Sequence, residues 1–108
     1  MQRIAFEKPL LDVRDLEVVL ALAAAGSTAG AVSMLHVTQS AVSRALAVAE
    51  DKLGVRLFER TARGLAPTDA GQRFIAGAGP MLAQLADFER RVRAPAASPM
   101  RVRLVCEC

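Results

Sequence analysis

Apolar residues recur at steps of three and four from Asp12 onward, and small or capping residues punctuate them into four helical segments and one hairpin. Asp12 starts the first helix, with Asp15 in a favourable first turn, and the segment runs to Ala25 with Leu16, Val19, Leu20 and Ala23 as its expected buried stripe. Gly26 ends it. Ser27 caps a short second helix, Thr28 to Leu35, whose apolar side is Ala29, Ala31, Val32 and Leu35. His36 and Val37 make a tight break, with the His36 ring expected to pack at the turn. Thr38 then caps a longer helix to about Leu53, in which Val42, Ala45, Leu46, Ala49 and Leu53 share one face.

Gly54 closes that helix, because glycine tolerates the left-handed conformation of a C-terminal cap. The next residues change period. Val55, Leu57 and Phe58 suit a strand, Thr61 to Gly64 supply a turn, and Leu65 to Pro67 make a short return strand. Two helices joined by a tight turn and followed by a hairpin predict a mainly α winged helix-turn-helix, with the first helix completing a three-helix core on Val32, Leu35, Val42, Leu46 and Phe58.

The polar positions give this pattern its chemistry. Opposite the stripe of the third helix, near its start, lie Gln39, Ser40, Ser43 and Arg44. Gln can bond an adenine edge through both amide atoms, Arg can fork onto the two acceptors of guanine, and hydroxyls serve bases or phosphates. A solvated helix face has the same composition, but in a helix-turn-helix the start of the second helix projects into a major groove. Ser27 and Thr38, at the two helix starts, join the candidate contact set. Arg56, Arg60 and Arg63 fall along the hairpin with Glu59 the only acid among them, which suits phosphates or a minor groove; a basic hairpin that is only soluble surface is the alternative.

Together these residues carry a resemblance. The run G-S-T-A-G-A-V-S-M-L-H-V-T-Q-S-A-V-S-R from Gly26 to Arg44, A-E-D-K-L-G-V-R-L-F-E-R from Ala49 to Arg60, and P-T-D-A-G from Pro67 to Gly71 resemble the DNA-binding domain of LysR-type transcriptional regulators. The resemblance covers Leu11 to about Gly71. It implies a bacterial regulator that binds an interrupted palindrome in double-stranded DNA as a homodimer or homotetramer, with Gln39, Ser40, Ser43 and Arg44 on the recognition helix and Arg60 and Arg63 on the wing. Three positions depart from the family pattern: Val32, Ala49 and Pro67 stand where Ala, Leu and Leu are usual. The first two change core volume only. Pro67 cannot donate to a strand ladder, which predicts a short or edge second wing strand.

Thr68 caps a further long helix in which Phe74, Ala78, Met81, Leu85, Phe88 and Val92 recur at alternating steps of four and three. That is a heptad-like seam, more easily buried by a second copy than by so small a domain. A helix folded back on its own domain is the alternative, and the resemblance favours dimerisation, since the family pairs through such a linker helix. Gly77, Gly79 and Pro80 interrupt the seam and predict a kink near Ala76.

The organisation that follows is an N-terminal arm at 1–11, a winged helix-turn-helix at 12–67, a linker helix at 68–94, and at 95–108 a hinge leading into a strand. The strand rests on the alternation of Val102, Leu104 and Cys106. In the family an effector domain begins with such a strand, so the resemblance implies a truncated regulator whose small-molecule effector acts through a missing C-terminal domain. The ending R-L-V-C-E-C is similar to the methionine-biosynthesis branch, whose effector is homocysteine.

Composition narrows the remaining classes. At 108 residues and 53% hydrophobic content the chain builds one compact domain, and its net charge of +3 matters less than where the charges sit. Twelve of the 14 bases are Arg, which suits bidentate contacts and is also what a GC-rich genome produces. An enzyme is disfavoured: there is one His, and no phosphate-loop or dinucleotide fingerprint. No cofactor is expected. Cys106 and Cys108 do not complete a metal site and read as free thiols. With no signal-peptide region and no apolar run near the roughly 18 residues of a membrane span, the expected location is the cytoplasm. The rival reading is a winged-helix protein-interaction module, which needs no outward Gln39 and Arg44.

Overall fold

The computed structural model describes residues 8–94 of the chain, in the order α1 (Val13–Ala25), α2 (Thr28–Leu35), α3 (Gln39–Leu53), β1 (Phe58–Thr61), β2 (Gly64–Pro67) and α4 (Asp69–Arg93). It is a winged helix-turn-helix: a three-helix core, a two-stranded antiparallel wing and a long final helix. The arm residues 1–7, the hinge and the strand expected at 95–108 lie outside the described residues.

Each helix begins where a side-chain oxygen meets an orphan backbone donor. Asp12 and Asp15 form a reciprocal capping box, Asp15 N donating to Asp12 Oδ1 at 3.0 Å and Asp12 N to Asp15 Oδ2 at 2.9 Å. Ser27 Oγ accepts from Gly30 N, Thr38 Oγ1 from Ala41 N and Thr68 Oγ1 from Gly71 N. Helices α1 and α3 end on Gly26 and Gly54 at φ of 72° and 71°. Helix α2 ends on His36, a non-glycine at φ 58°, whose backbone N–H donates to Val32 O. Its side chain is exposed, so His36 contributes its backbone to the turn and the expected packing of the ring is not observed.

The core lies where α1 passes behind the other elements. Val18, Val19, Leu22, Ala31, Val42, Ala49, Leu57 and Phe58 are all buried. The stripe expected on α1 is therefore shifted: Val19 is buried, but Leu16, Leu20 and Ala23 are only half-buried, while Val18, Ala21 and Leu22 are sealed. Helix α1 packs against α2, α3, β2 and α4, so its buried arc is wider than one stripe, and the run from Val18 to Ala25 is apolar all round.

Asp15 is the one buried charged residue among those described, and Lys52 Nζ of α3 reaches its Oδ2 at 3.0 Å. Burial pushes the Asp15 carboxyl up, but the Asp12 backbone N–H and the Lys52 ammonium outweigh it and hold the carboxyl below its ordinary value. This pair ties the start of α1 to the end of α3.

Strands β1 and β2 pair antiparallel from Phe58↔Pro67 to Thr61↔Gly64, with Pro67 as the last residue of β2. In a two-stranded ribbon both strands are edges, so the missing Pro67 donor costs no ladder bond on a second side. The wing is pinned to the helices: Leu65 N donates to Gly26 O at 2.9 Å, and Thr68 N to Leu57 O at 3.0 Å. Gly64, at φ 135°, lies so close to the Gly26 carbonyl that a Cβ would overlap it.

Helix α4 is continuous from Asp69 to Arg93 and carries Pro80 in its interior. Gly71, in its first turn, is buried against the Leu57 carbonyl with no room for a Cβ. Among the described residues no helix is long and apolar enough to cross a membrane.

Candidate nucleic-acid interface

The first two turns of α3 present Gln39, Ser40, Ser43 and Arg44, all exposed, while Val42 and Ala49 of the same helix are buried. The two faces expected from the sequence are thus physically separate. Thr38 is exposed at the cap, its Oγ1 accepting from Ala41 N and keeping its own hydroxyl proton for another partner. Ser27 is half-buried and its Oγ caps α2, so this residue sits deeper than the others.

Beside α3 stands the wing. Arg60 projects from β1 and Arg63 from the β1–β2 turn, both exposed. Arg60 and Leu65 of the wing face Thr28 of α2 and Ser43, Ala47 and Glu50 of α3 across a cleft of about 190 Å³. Recognition helix and wing therefore share one surface. Arg56 differs from its hairpin assignment: it lies in the α3–β1 connection, its Nε is 3.9 Å from Glu50 Oε2, and its guanidinium reaches the Phe58 carbonyl at 3.5 Å. Its side chain remains 75% exposed, so those bonds leave it open to a further partner.

Two residues outside the expected contact set, Glu50 and Gly71, hold this surface together. Glu50 Oε2 accepts from Leu57 N at 2.8 Å and from Phe58 N at 3.4 Å, joining α3 to the root of the wing. The sequence carries a signal for it: Leu46, Glu50 and Leu53 follow the four-and-three spacing of the buried face, and an acid there needs donors to compensate its burial. Gly71 is legible as a glycine within a helix start, where only a close approach offsets its propensity cost.

The seam of α4 divides. Phe74 packs against the core and Ala78 is 2% exposed within the single chain, whereas Met81, Leu85, Phe88 and Val92 are 56%, 37%, 54% and 67% exposed. The first two are used by the domain itself, because α4 begins by packing on α1. An apolar groove of about 750 Å³ runs between the start of α1 and α4, lined in part by Leu10, Val13, Met81 and Leu85.

A polar recognition-helix start beside an arginine-bearing wing, on a rigid three-helix core, defines the class of winged helix-turn-helix DNA-binding domains. Residues 13–72 match the family described as bacterial regulatory helix-turn-helix protein, lysR family. The chain belongs to the LysR family. The HTH-type transcriptional regulator TfdT of Cupriavidus pinatubonensis is 36% identical over 86 residues, which are 80% of this chain and 38% of TfdT. MetR of Haemophilus influenzae is 35% identical over 99 residues, 89% of this chain and 32% of MetR. The chain thus spans about a third of the length of these curated relatives. CbnR, a LysR family transcriptional regulator, shares the fold at a TM-score of 0.77 with 37% identity, over 80% of this chain and 30% of CbnR. The CbnR_DBD–DNA complex matches at a TM-score of 0.73 with 36% identity, over 77% of this chain and 95% of that one. These relatives are transcriptional regulators, and none of them is named as an enzyme.

Proposed function

We propose that this chain is the sequence-specific reader of a LysR-type transcriptional regulator: the start of α3 enters the major groove of each half-site and the wing holds flanking backbone. The observation that carries the reading is that Ser43 of α3 and Arg60 of the wing line one cleft, with Gln39, Arg44 and Arg63 exposed on the same two elements. Arg63 and Arg60 grip phosphates or a minor groove, which carry little sequence information. Arg60→Ala and Arg63→Ala each weaken binding by a similar factor on every duplex, and each lowers the slope of log K against log salt by about 0.9 for every phosphate the variant no longer neutralises. Titration on two unrelated duplexes between low and moderate salt reads both effects. A protein-interaction module, whose apolar interface lacks counterion release, would show neither.

The operator is an interrupted palindrome, because two copies related by a two-fold axis place two α3 helices on opposed half-sites. Pairing uses the exposed part of the α4 seam: Met81, Leu85, Phe88 and Val92 form an unpartnered apolar row, and single chains rarely leave one open. Phe74 and Ala78 contribute by anchoring the helix to its own domain. Leu85→Asp and Phe88→Asp, at exposed sites that leave the fold intact, convert a dimer to a monomer at tens of micromolar in analytical ultracentrifugation. A wild-type monomer at that concentration contradicts this part of the proposal. Effector control, with homocysteine as the ligand implied by the ending of the chain, belongs to the whole regulator; its sequence signal lies outside the described residues.

A further inference from the structure

The Glu50 carboxylate occupies a place that neither base reading nor wing chemistry explains. It is on α3, seven residues past Ser43, yet one of its oxygens receives the backbone N–H of Leu57 at 2.8 Å and of Phe58 at 3.4 Å, where the chain enters β1. Both of those residues are buried, 1% and 2% exposed, so a donor released there has little water to turn to. The Glu50 main-chain carbonyl also accepts from Gly54 and Val55, at 2.8 and 3.3 Å, closing the helix just before the connection. Arg56 lies over the same carboxylate, 3.9 Å away. At the same root the Thr68 hydroxyl donates to Arg56 O at 2.6 Å and Thr68 N to Leu57 O at 3.0 Å, while on the β2 side Leu65 N is held by Gly26 O. Those bonds attach the wing to α1 and α4. Among the described side chains, Glu50 alone hydrogen-bonds from the recognition helix to the wing root.

We propose that Glu50 is a positioning residue that fixes the offset between the bases under α3 and the flanking backbone under Arg60 and Arg63. Arg60 is two residues beyond Phe58 on a short strand, so the placement of the Leu57–Phe58 root sets where its guanidinium falls relative to Ser43 and Arg44. The carboxylate acts through its reach: it spans from α3 to two amides. Charge is secondary, since the donors are neutral backbone groups. This inference rests on the DNA-reading function proposed above.

The test is a hydroxyl-radical footprint of the full chain on a duplex selected by the wild type, at saturating protein, for wild type, Glu50→Gln and Glu50→Asp. Gln keeps the length and one acceptor oxygen but loses the charge; Asp keeps the charge and is one methylene too short. Saturation matters because a variant that is merely less stable gives the same footprint at higher total concentration. Wild type and Glu50→Gln protect the half-site and its flanks, whereas Glu50→Asp protects the half-site alone, with its salt slope lowered by about two per protomer as both wing arginines leave their phosphates. Flank protection kept by Glu50→Asp, or lost by Glu50→Gln, overturns the proposal. Amide exchange at Leu57 and Phe58 gives a second reading that does not need the Asp variant to fold. Slow exchange in both wild type and Glu50→Gln is expected, and fast exchange in the wild type also overturns it. A folded wild type that gives no localised footprint on any selected duplex removes the DNA-reading function itself, and this inference with it.

Discussion

Leu22→Ala lowers the free energy of unfolding by about 2–5 kcal/mol, a large share of the roughly 5–15 kcal/mol that a domain commands. Leu22 is 0% exposed in the cluster that holds Val42 of α3, Ala31 of α2 and Phe58 of the wing, so the substitution removes buried apolar contacts and leaves a cavity that its neighbours fill only in part. Denaturant unfolding of the purified variant measures the loss. Because the same cluster supports the inner face of α3, the variant also binds DNA less at temperatures where the wild type is fully folded. A cost below about 1 kcal/mol, the range of volume-conserving changes, would mean that Leu22 is not at the packed centre of the core.

Arg44→Ala and Gln39→Ala change which base pairs are preferred, by about 1–3 kcal/mol for each bidentate pair removed, while affinity for unrelated duplexes falls much less. Both side chains are exposed in the first two turns of α3, so neither substitution disturbs the core. The effect is directional: an Arg that forks onto guanine loses discrimination at that base pair and at no other. Competition binding against a set of single-base operator variants resolves it position by position. An unchanged preference in both variants would remove the start of α3 from the reading role.

How much of this is legible in the sequence depends on the kind of physics involved. Helix boundaries are legible because they are set locally: Asp12, Ser27, Thr38 and Thr68 accept from their own first turns, and Gly26 and Gly54 adopt the left-handed conformation their neighbours need, whereas the first wing strand, expected on Val55, Leu57 and Phe58, runs from Phe58 to Thr61. The polar face of α3 is legible for the same reason, since Val42 and Ala49 fix its opposite side. The rotation of α1 is not, because its run from Val18 to Ala25 is apolar all round and its partners choose the buried arc. The division of the α4 seam is hidden too: Phe74 and Ala78 match the spacing of Met81 and Leu85, and only the position of α1 decides which are covered at home. Glu50 and Gly71 meet main-chain atoms seven or more residues away, which periodicity does not report.

Those long-range bonds also explain how so small a domain holds a reading surface in shape. The wing is fastened by Glu50 from α3, by Gly26 from the end of α1 and by Thr68 from the start of α4. On the proposed reading, restraint on both strands places Arg60 and Arg63 before DNA arrives, which reduces the ordering cost of binding.

The most direct test of the reader assignment is selection of binding sequences from a random duplex pool by the purified chain, with Arg44→Ala run in parallel. Enrichment of an interrupted palindrome by the wild type, with base preference lost or altered at one position of each half-site in the variant, is the predicted result. A folded wild type that enriches no sequence would contradict it.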